Sequence, residues 1–255
     1  MNMHTKKNYL STLYAVGILM LLWEIIHLTL DSFVVPEPFE VLIYTFQNIP
    51  QLCRHLGGSM GRIGVGLGLT LIVGGTLGIA LGANRYLDRY ITPIIYLIYP
   101  VPRIAFLPVF MILFGLGDLS KVVLIFAISV FHLIVSVRDS ICHLPEHLFL
   151  TAKTWGLTKR QKLFNLIIPA AMPSVFTSLK IAIGSSMVAV FFAENYATKL
   201  GIGYYIMNAW IKVDYVEMYS GIIAISLCGM GLFKGIESLE HKVCRWKVMD
   251  TDKRH

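Results

Sequence analysis

Apolar runs long enough to cross a bilayer, separated by shorter polar stretches, organise this chain. The first covers residues 9–30 and is interrupted by Glu24 and His27. It exceeds the roughly 7–15-residue core of a secretory signal, and no small-x-small cleavage pattern follows it, so an uncleaved spanning helix is expected. Residues 31–56 are polar and carry Pro36, Pro38 and Pro50, which predicts a loop or surface helix. Further spans are expected at about residues 57–83, within 91–116, and at 122–137, 170–193 and 216–236. About 20 apolar residues in a helix cross the hydrocarbon core. The pattern therefore predicts an all-α polytopic membrane protein with about six transmembrane helices.

Two of these runs depart from an ordinary span. The second holds ten of the chain's 21 glycines, with Gly74, Gly78 and Gly82 at every fourth position, as are Gly64 and Gly68. Such a face admits a neighbouring helix at close range, where packing replaces the hydrophobic effect as the driving force. The third run contains Pro93, Pro100, Pro102 and Pro108. Proline removes a backbone donor and breaks a helix, so Tyr99-Pro100-Val101-Pro102-Arg103 must be a break. Two readings stand: a span broken at membrane depth, covered by protein or an aqueous cavity, or a cytoplasmic surface helix turned into a short span. Either makes Pro100, Pro102 and Arg103 a candidate gate.

Composition agrees with lipid as the solvent. The chain is 56% hydrophobic and 15% charged, against about 25% charged for a soluble domain. Its net charge of +7 is explained by sidedness. With the N-terminus inside, fourteen Lys and Arg fall in inside segments and four (Arg54, Lys121, Lys199, Lys212) in outside loops, while Arg62, Arg103, Lys180 and Lys234 lie in or near spans. This fits the positive-inside rule and argues against a nucleic-acid partner. The four cysteines show no CxxC spacing, so neither a disulfide framework nor a zinc site is expected.

The inside segment at residues 138–166 is more than a connector. Read as helix, turn at Gly156, helix, it places Leu148, Thr151, Ala152 and Trp155 on one face. Thr158 and Gln161 stand at capping-box spacing, and Leu163, Phe164 and Ile167 form a second apolar stripe. Such a helix pair lies on lipid headgroups or docks in a partner's groove, and the pattern alone does not choose.

Here the chain resembles the membrane permease subunits of binding-protein-dependent ABC importers. Their cytoplasmic signature is Glu-Ala-Ala, three residues, Gly, nine residues, Ile-x-Leu-Pro. The corresponding positions are Leu150-Thr151-Ala152, Gly156, Leu166, Ile168 and Pro169, so the acidic residue and first alanine are replaced. Further stretches resemble the nitrate/sulfonate/taurine-type branch: Tyr99 to Pro108, Phe114 to Lys121, Pro173 to Gly184, Ala193-Glu194, Gly201-Ile202-Gly203-Tyr204, and Leu239-Glu240 with Arg245-Trp246. The resemblance covers about residues 36–247. It divides the chain into an N-terminal transmembrane helix (1–35), a permease domain (36–247) and a cytoplasmic tail (248–255).

The resemblance implies a homodimer enclosing a pathway for a small solute, an anion or organosulfonate by branch, in the bacterial cytoplasmic membrane with both termini cytoplasmic. Two ATPase subunits would grip Leu150, Thr151, Ala152, Trp155, Gly156, Leu163, Phe164, Ile168 and Pro169, and an extracytoplasmic binding protein would deliver the solute. No Gly-x4-Gly-Lys-[Ser/Thr] phosphate cradle occurs. No cofactor is therefore expected on this chain, and ATP is used by the partner. A self-sufficient carrier or channel would leave the inside helix pair without a purpose. A membrane-embedded enzyme would need converging catalytic groups, and Glu24, His27, His132 and Glu194 make no recognised motif.

Intramembrane charges are functional hypotheses by default. Glu194, at the outer end of the fifth span, lines the pathway or pairs with Lys199 or Lys212, the pairing being preferred. Arg103 guides an anion or snorkels to the inner headgroups. A di-metal site at Glu24 and His27 would need a second Glu-x-x-His, which is absent, so tertiary hydrogen bonding is expected instead. Sidedness is directly testable: a membrane-impermeant thiol reagent added outside should label a cysteine placed at Asn208 and miss one placed at Lys159. The reverse pattern would invert every assignment of inside and outside.

Overall fold

The computed structural model describes residues 3–30 and 33–246, with side chains described from residue 14 onward; the expected tail 248–255 lies outside the described residues. The described chain is helical throughout. Helix α1 (Met3–Leu30) is followed by the short α2 (Pro38–Gln47) and by α3 (Ile49–Ala83), the glycine-rich helix. Next come α4 (Arg85–Ile98), a tight turn of 3₁₀ helix (Arg103–Phe106) and α5 (Leu107–Phe114). Helix α6 (Asp118–Cys142) precedes α7 (Glu146–Thr154), α8 (Lys159–Lys162), a π-helical turn (Leu163–Ile167) and α9 (Ile168–Glu194). The short α10 (Ile202–Ile211) and long α11 (Tyr215–Val243) complete the order.

Four segments are long and apolar enough to span: Ile49–Ala83, Asp118–Cys142, Lys159–Glu194 and Tyr215–Val243. A fifth is the pair Arg85–Ile98 and Arg103–Phe114, bent by 80°. In α1 the described apolar stretch is Tyr14–Leu30. The sequence pattern did not foresee α10, which is too short to cross and carries buried Ile202, Tyr205, Ile206 and Ala209. Near its C-terminal end α1 stacks Trp23 on Tyr219 at 5.4 Å. His27 makes a hydrogen bond to the Val35 carbonyl at 2.7 Å.

The glycines of α3 decide how it packs. A methyl group on Gly66 would lie 2.6 Å from Ile125, one on Gly78 2.8 Å from Val137, and one on Gly82 2.7 Å from Ile141. Gly74 is nearly as close to Leu133, at 3.2 Å. Each glycine meets the α6 residue at a constant offset along the chain, so α3 and α6 run parallel with their backbones nearly touching. Parallel neighbours require the chain between them to return to its starting level. The bent α4–α5 pair makes that return. At its start Arg138 of α6 grips Asp88 at 2.6 Å; at the break Tyr99 Oη is 3.2 Å from His132 Nδ1. At 1.5 Å per residue, His132 is about 15 Å from the end of α6. The break is therefore at mid-height in the bundle.

At the opposite end a buried ion pair joins the helices. Glu194, at 0% exposure the least accessible acid described, ends α9 and meets Arg62 of α3 at 2.5 Å. Arg62 also holds Asp118 at the start of α6 at 2.7 Å and donates to the Leu200 carbonyl at 2.9 Å. The remaining Glu194 valences accept from Ser59 Oγ at 2.8 Å and from the Gly203 amide at 2.9 Å. Ser59 Oγ in turn accepts from the Ile202 amide. The first amides of α10, orphaned like those of any helix, are thus capped by side chains of α3 and α9. This corrects the expected partners of Glu194. Lys199 is exposed, and Lys212 faces Glu217 at 3.7 Å; a fully buried carboxylate needs a cation at its own depth. Lys121, assigned to an outside loop, is buried in α6 and donates to the Leu116 and Gly117 carbonyls at 3.0 Å.

Removing one member of a buried pair costs about 3–5 kcal/mol. Glu194→Ala should lower the heat-induced unfolding midpoint of the detergent-solubilised protein by that equivalent, and Arg62→Met with Glu194→Met together should recover part of it. Lys199→Ala and Lys212→Ala should leave the midpoint unchanged. A loss on Lys199→Ala as large as that of Glu194→Ala would refute the assignment.

Candidate functional site

The segment between α6 and α9 is built by consecutive stop and start signals. Helix α7 ends where Gly156 takes φ +67°, a left-handed conformation that glycine enters without steric cost. The Gly156 amide donates to Lys153 O and the Leu157 amide to Ala152 O, both at 3.0 Å, which is the double closure of a Schellman end. Two residues later Thr158 starts α8: the Gln161 amide donates to Thr158 Oγ1, and the Thr158 amide donates to Gln161 Oε1. The capping box anticipated from the sequence is therefore formed.

Three large apolar side chains of this segment are left uncovered. Leu150, Trp155 and Phe164 are 58%, 77% and 55% exposed, while Ala152 is buried and Leu148 and Leu163 are half-buried. The expected Leu148–Thr151–Ala152–Trp155 face is thus split. Trp155 is the C-cap of α7, already outside the helical register, and Thr151 turns outward with its hydroxyl on the His147 carbonyl at 2.9 Å. Beyond α8 the helix widens: the Ile168 amide reaches back to Leu163 O. Pro169, in the first turn of α9, has no amide to return to the preceding turn, and a π turn accommodates the missing bond. The helix continues through it, so Lys159–Glu194 is one 36-residue rod.

At the break, Pro100 and Pro102 bring no backbone donors; the Val101 amide still reaches the Ile98 carbonyl at 3.1 Å, and the Tyr99 carbonyl is supplied with a donor by Arg103. Its Nη2 donates to Tyr99 O at 2.7 Å and reaches Ile98 O at 3.5 Å, and its guanidinium lies 4.9 Å from the Phe131 ring centre and 5.3 Å from that of Tyr99. Arg103 therefore caps the C-terminal end of α4, where a cation is favoured. Beyond the break, Ile104, Leu107, Pro108 and Met111 face Phe192 and Tyr196 across a cavity of about 460 Å³. Phe192 also borders an apolar groove of about 440 Å³ against α10 and α11. Glu194 lines neither. Sequence reasoning missed Arg62, although it was a cation already assigned to a span.

Residues 72–235 match the family described as binding-protein-dependent transport system inner membrane component. The chain is 27% identical to the nitrate import permease protein NrtB of Synechocystis, over 93% of this chain and 94% of that one. It is 26% identical to the formylaminopyrimidine transport permease protein ThiX of Halalkalibacterium halodurans, over 90% and 92%. To the taurine transport system permease protein TauC of Escherichia coli it is 29% identical, over 76% and 71%. In three dimensions it is similar to a chain of the MetNI methionine ABC transporter in an inward-facing form, with a TM-score of 0.62 and 15% identity, over 73% of this chain and 93% of that one. This similarity shows a shared fold. With the family match spanning well over half its length, the chain belongs to the inner membrane components of binding-protein-dependent transport systems, the permease subunits of ABC importers.

Proposed function

We propose that two copies of this chain enclose a pathway for a small anion, moved by two separate ATPase subunits and delivered by an extracytoplasmic binding protein. The observation that carries the reading is the α7–α8 segment, a doubly capped helix pair that offers Leu150, Trp155 and Phe164 to a partner and continues unbroken into the rod of α9. Residues 36–247 form the permease domain, 1–35 an additional membrane helix and 248–255 a tail, with both termini in the cytoplasm of a bacterial cell. Relatives named for nitrate and for the sulfonate taurine support the anion, while one named for formylaminopyrimidine points to a neutral heterocycle as the alternative solute. Nucleotide chemistry belongs to the partner, and no cofactor is assigned to this chain.

In this reading the ATPase subunits hold α7 and α8, including Thr151, Ala152, Gly156, Leu163, Ile168 and Pro169. A rigid helix transmits their displacement. Movement of α8 tilts α9, which carries Phe192 at the cavity beside α5 and Glu194 at the far clasp. The break at Pro100 and Pro102 supplies the complementary hinge, because α4 and α5 are joined by short i→i+3 turns and not by a continuous α-helical ladder. Arg103 keeps the end of α4 capped as the angle changes.

Two substitutions test the coupling. Gly156→Pro cannot adopt φ +67°, since proline is held near −65°. Membrane insertion should persist while coupled uptake in proteoliposomes is lost, with ATPase subunits either absent after co-purification or hydrolysing ATP without transport. Normal uptake by this variant would remove the docking assignment. Replacing Pro100 and Pro102 by alanine restores two backbone donors and favours a more continuous helix. Expression and ATPase binding should be normal and uptake slowed; unchanged uptake would make the break a plain connector.

A further inference from the structure

The α7–α8 face holds a second feature, separate from the apolar docking surface. A polar cavity of about 590 Å³ opens between the coupling segment and the adjoining ends of α3, α4 and α6. Its charged lining is Arg85, Asp88, Arg138, Glu146 and Lys162, with Phe149 beside them. Two of these charges neutralise each other: Arg138 donates to both Asp88 oxygens, at 2.7 and 2.6 Å, and also holds Asp139 at 2.7 Å. Among the described residues neither Arg85 nor Lys162 makes an ion pair. Lys162 instead rests over the Phe149 ring at 4.5 Å. Glu146 is the one remaining acid in the lining. Within the lining three cations face two acids, a surplus of one positive charge, with Asp139 sharing Arg138 outside it. Among the described residues Arg85 and Lys162 are the two of these cations without an ion-pair partner.

We propose that this cavity binds a phosphate group, contacted by Arg85 from α4 and Lys162 from α8. The chemistry fits the donors: an arginine fork matches two phosphate oxygens, and a lysine adds a compact charge. Basic pockets between helices at the cytoplasmic face take lipid headgroups, and a free phosphate presents the same oxygens. The bound group bridges two parts that must move relative to each other in transport, namely the arm leading to the break and the start of the α9 rod. It thereby favours the arrangement in which they are close. The site rests on the proposed reading only for its regulatory meaning, because binding itself requires neither the ATPase nor a known sidedness.

The test uses the full chain in phosphatidylcholine nanodiscs, with the unfolding midpoint followed while inorganic phosphate is titrated against chloride at equal ionic strength. A parallel set of nanodiscs contains phosphatidylglycerol. Stabilisation by inorganic phosphate identifies a soluble ligand, and stabilisation by phosphatidylglycerol alone identifies a headgroup. A lost charge-assisted hydrogen bond weakens binding by about tenfold. Arg85→Gln and Lys162→Gln should each weaken the effective probe by that factor, while Arg89→Gln, outside the cavity, should not. Glu146→Gln removes the competing acid and should tighten binding, which keeps the test decisive if a cation variant fails to fold. The site is refuted if neither probe shifts the midpoint, if Arg89→Gln weakens binding as much as Arg85→Gln, or if Glu146→Gln leaves the affinity unchanged. Such a failure would leave the coupling results at Gly156 untouched, and failed coupling would leave this binding intact.

Discussion

A carboxylate with no exposure at the end of a membrane helix is tolerable only if every valence is satisfied, and much of this structure is arranged around Glu194. Moving an isolated charge out of water costs several kcal/mol even after relaxation. Arg62, Ser59 and the Gly203 amide share that burden, and they come from helices far apart in sequence. Their convergence sets where α9 ends, where α10 begins and how both meet α3. Through Asp118 the same guanidinium also fixes the start of α6. The glycines after α9 follow from this constraint. A methyl group on Gly201 would overlap the Glu194 carboxyl, and one on Gly203 would lie 2.7 Å from the Phe191 carbonyl. Ala193-Glu194 and Gly201-Ile202-Gly203, separate motifs along the chain, are therefore one object in space.

The rod from Lys159 to Glu194 connects that object to the coupling segment. Its two ends have contrasting chemistry. At the far end the contacts are charged, directional and buried, so they break or hold as a set. At the near end Leu150, Trp155 and Phe164 offer non-directional apolar surface, which a partner can engage without a single required register. Between them α3 and α6 form the opposite of a hinge, because glycine-mediated contact at nearly backbone distance leaves no room for sliding. In the proposed transport cycle, motion would fall on elements held by polar ties or by a break, namely α4, α5 and α9.

How much of this was legible in the sequence depended on whether the cause was local. The Gly156 stop, the Thr158–Gln161 start and the proline break follow from neighbouring residues and are found where expected. The apolar runs are helical, though α3 and α4 start earlier than their apolar cores, at Ile49 and Arg85. Among the described residues the spans long and apolar enough number four, or five with the bent pair. Partnership across the bundle was not legible. Glu194 was matched to the loop lysines nearest in sequence, although a buried acid selects a cation by depth, and Arg62 was the available one. Lys121 looked like a loop residue because charge and position suggested it, yet its ammonium folds back to cap the Leu116 and Gly117 carbonyls. Helix α10 was missed because ten residues are too few to span. Its stability comes from caps supplied by α3 and α9, which no local pattern records.

The role of Arg103 follows the same logic one step further. The two prolines bring no donors to the end of α4; the Val101 amide takes up the Ile98 carbonyl, and a Tyr99 carbonyl left bare in lipid would cost several kcal/mol. A side chain four residues beyond Tyr99 returns to it, so the residue type next to the break fits the break. A flexible side chain maintains that bond over a range of backbone angles, whereas a continuous amide ladder fixes one. The proline pair and the arginine therefore form a single device: the first removes the stiffness, and the second removes the desolvation cost of having done so.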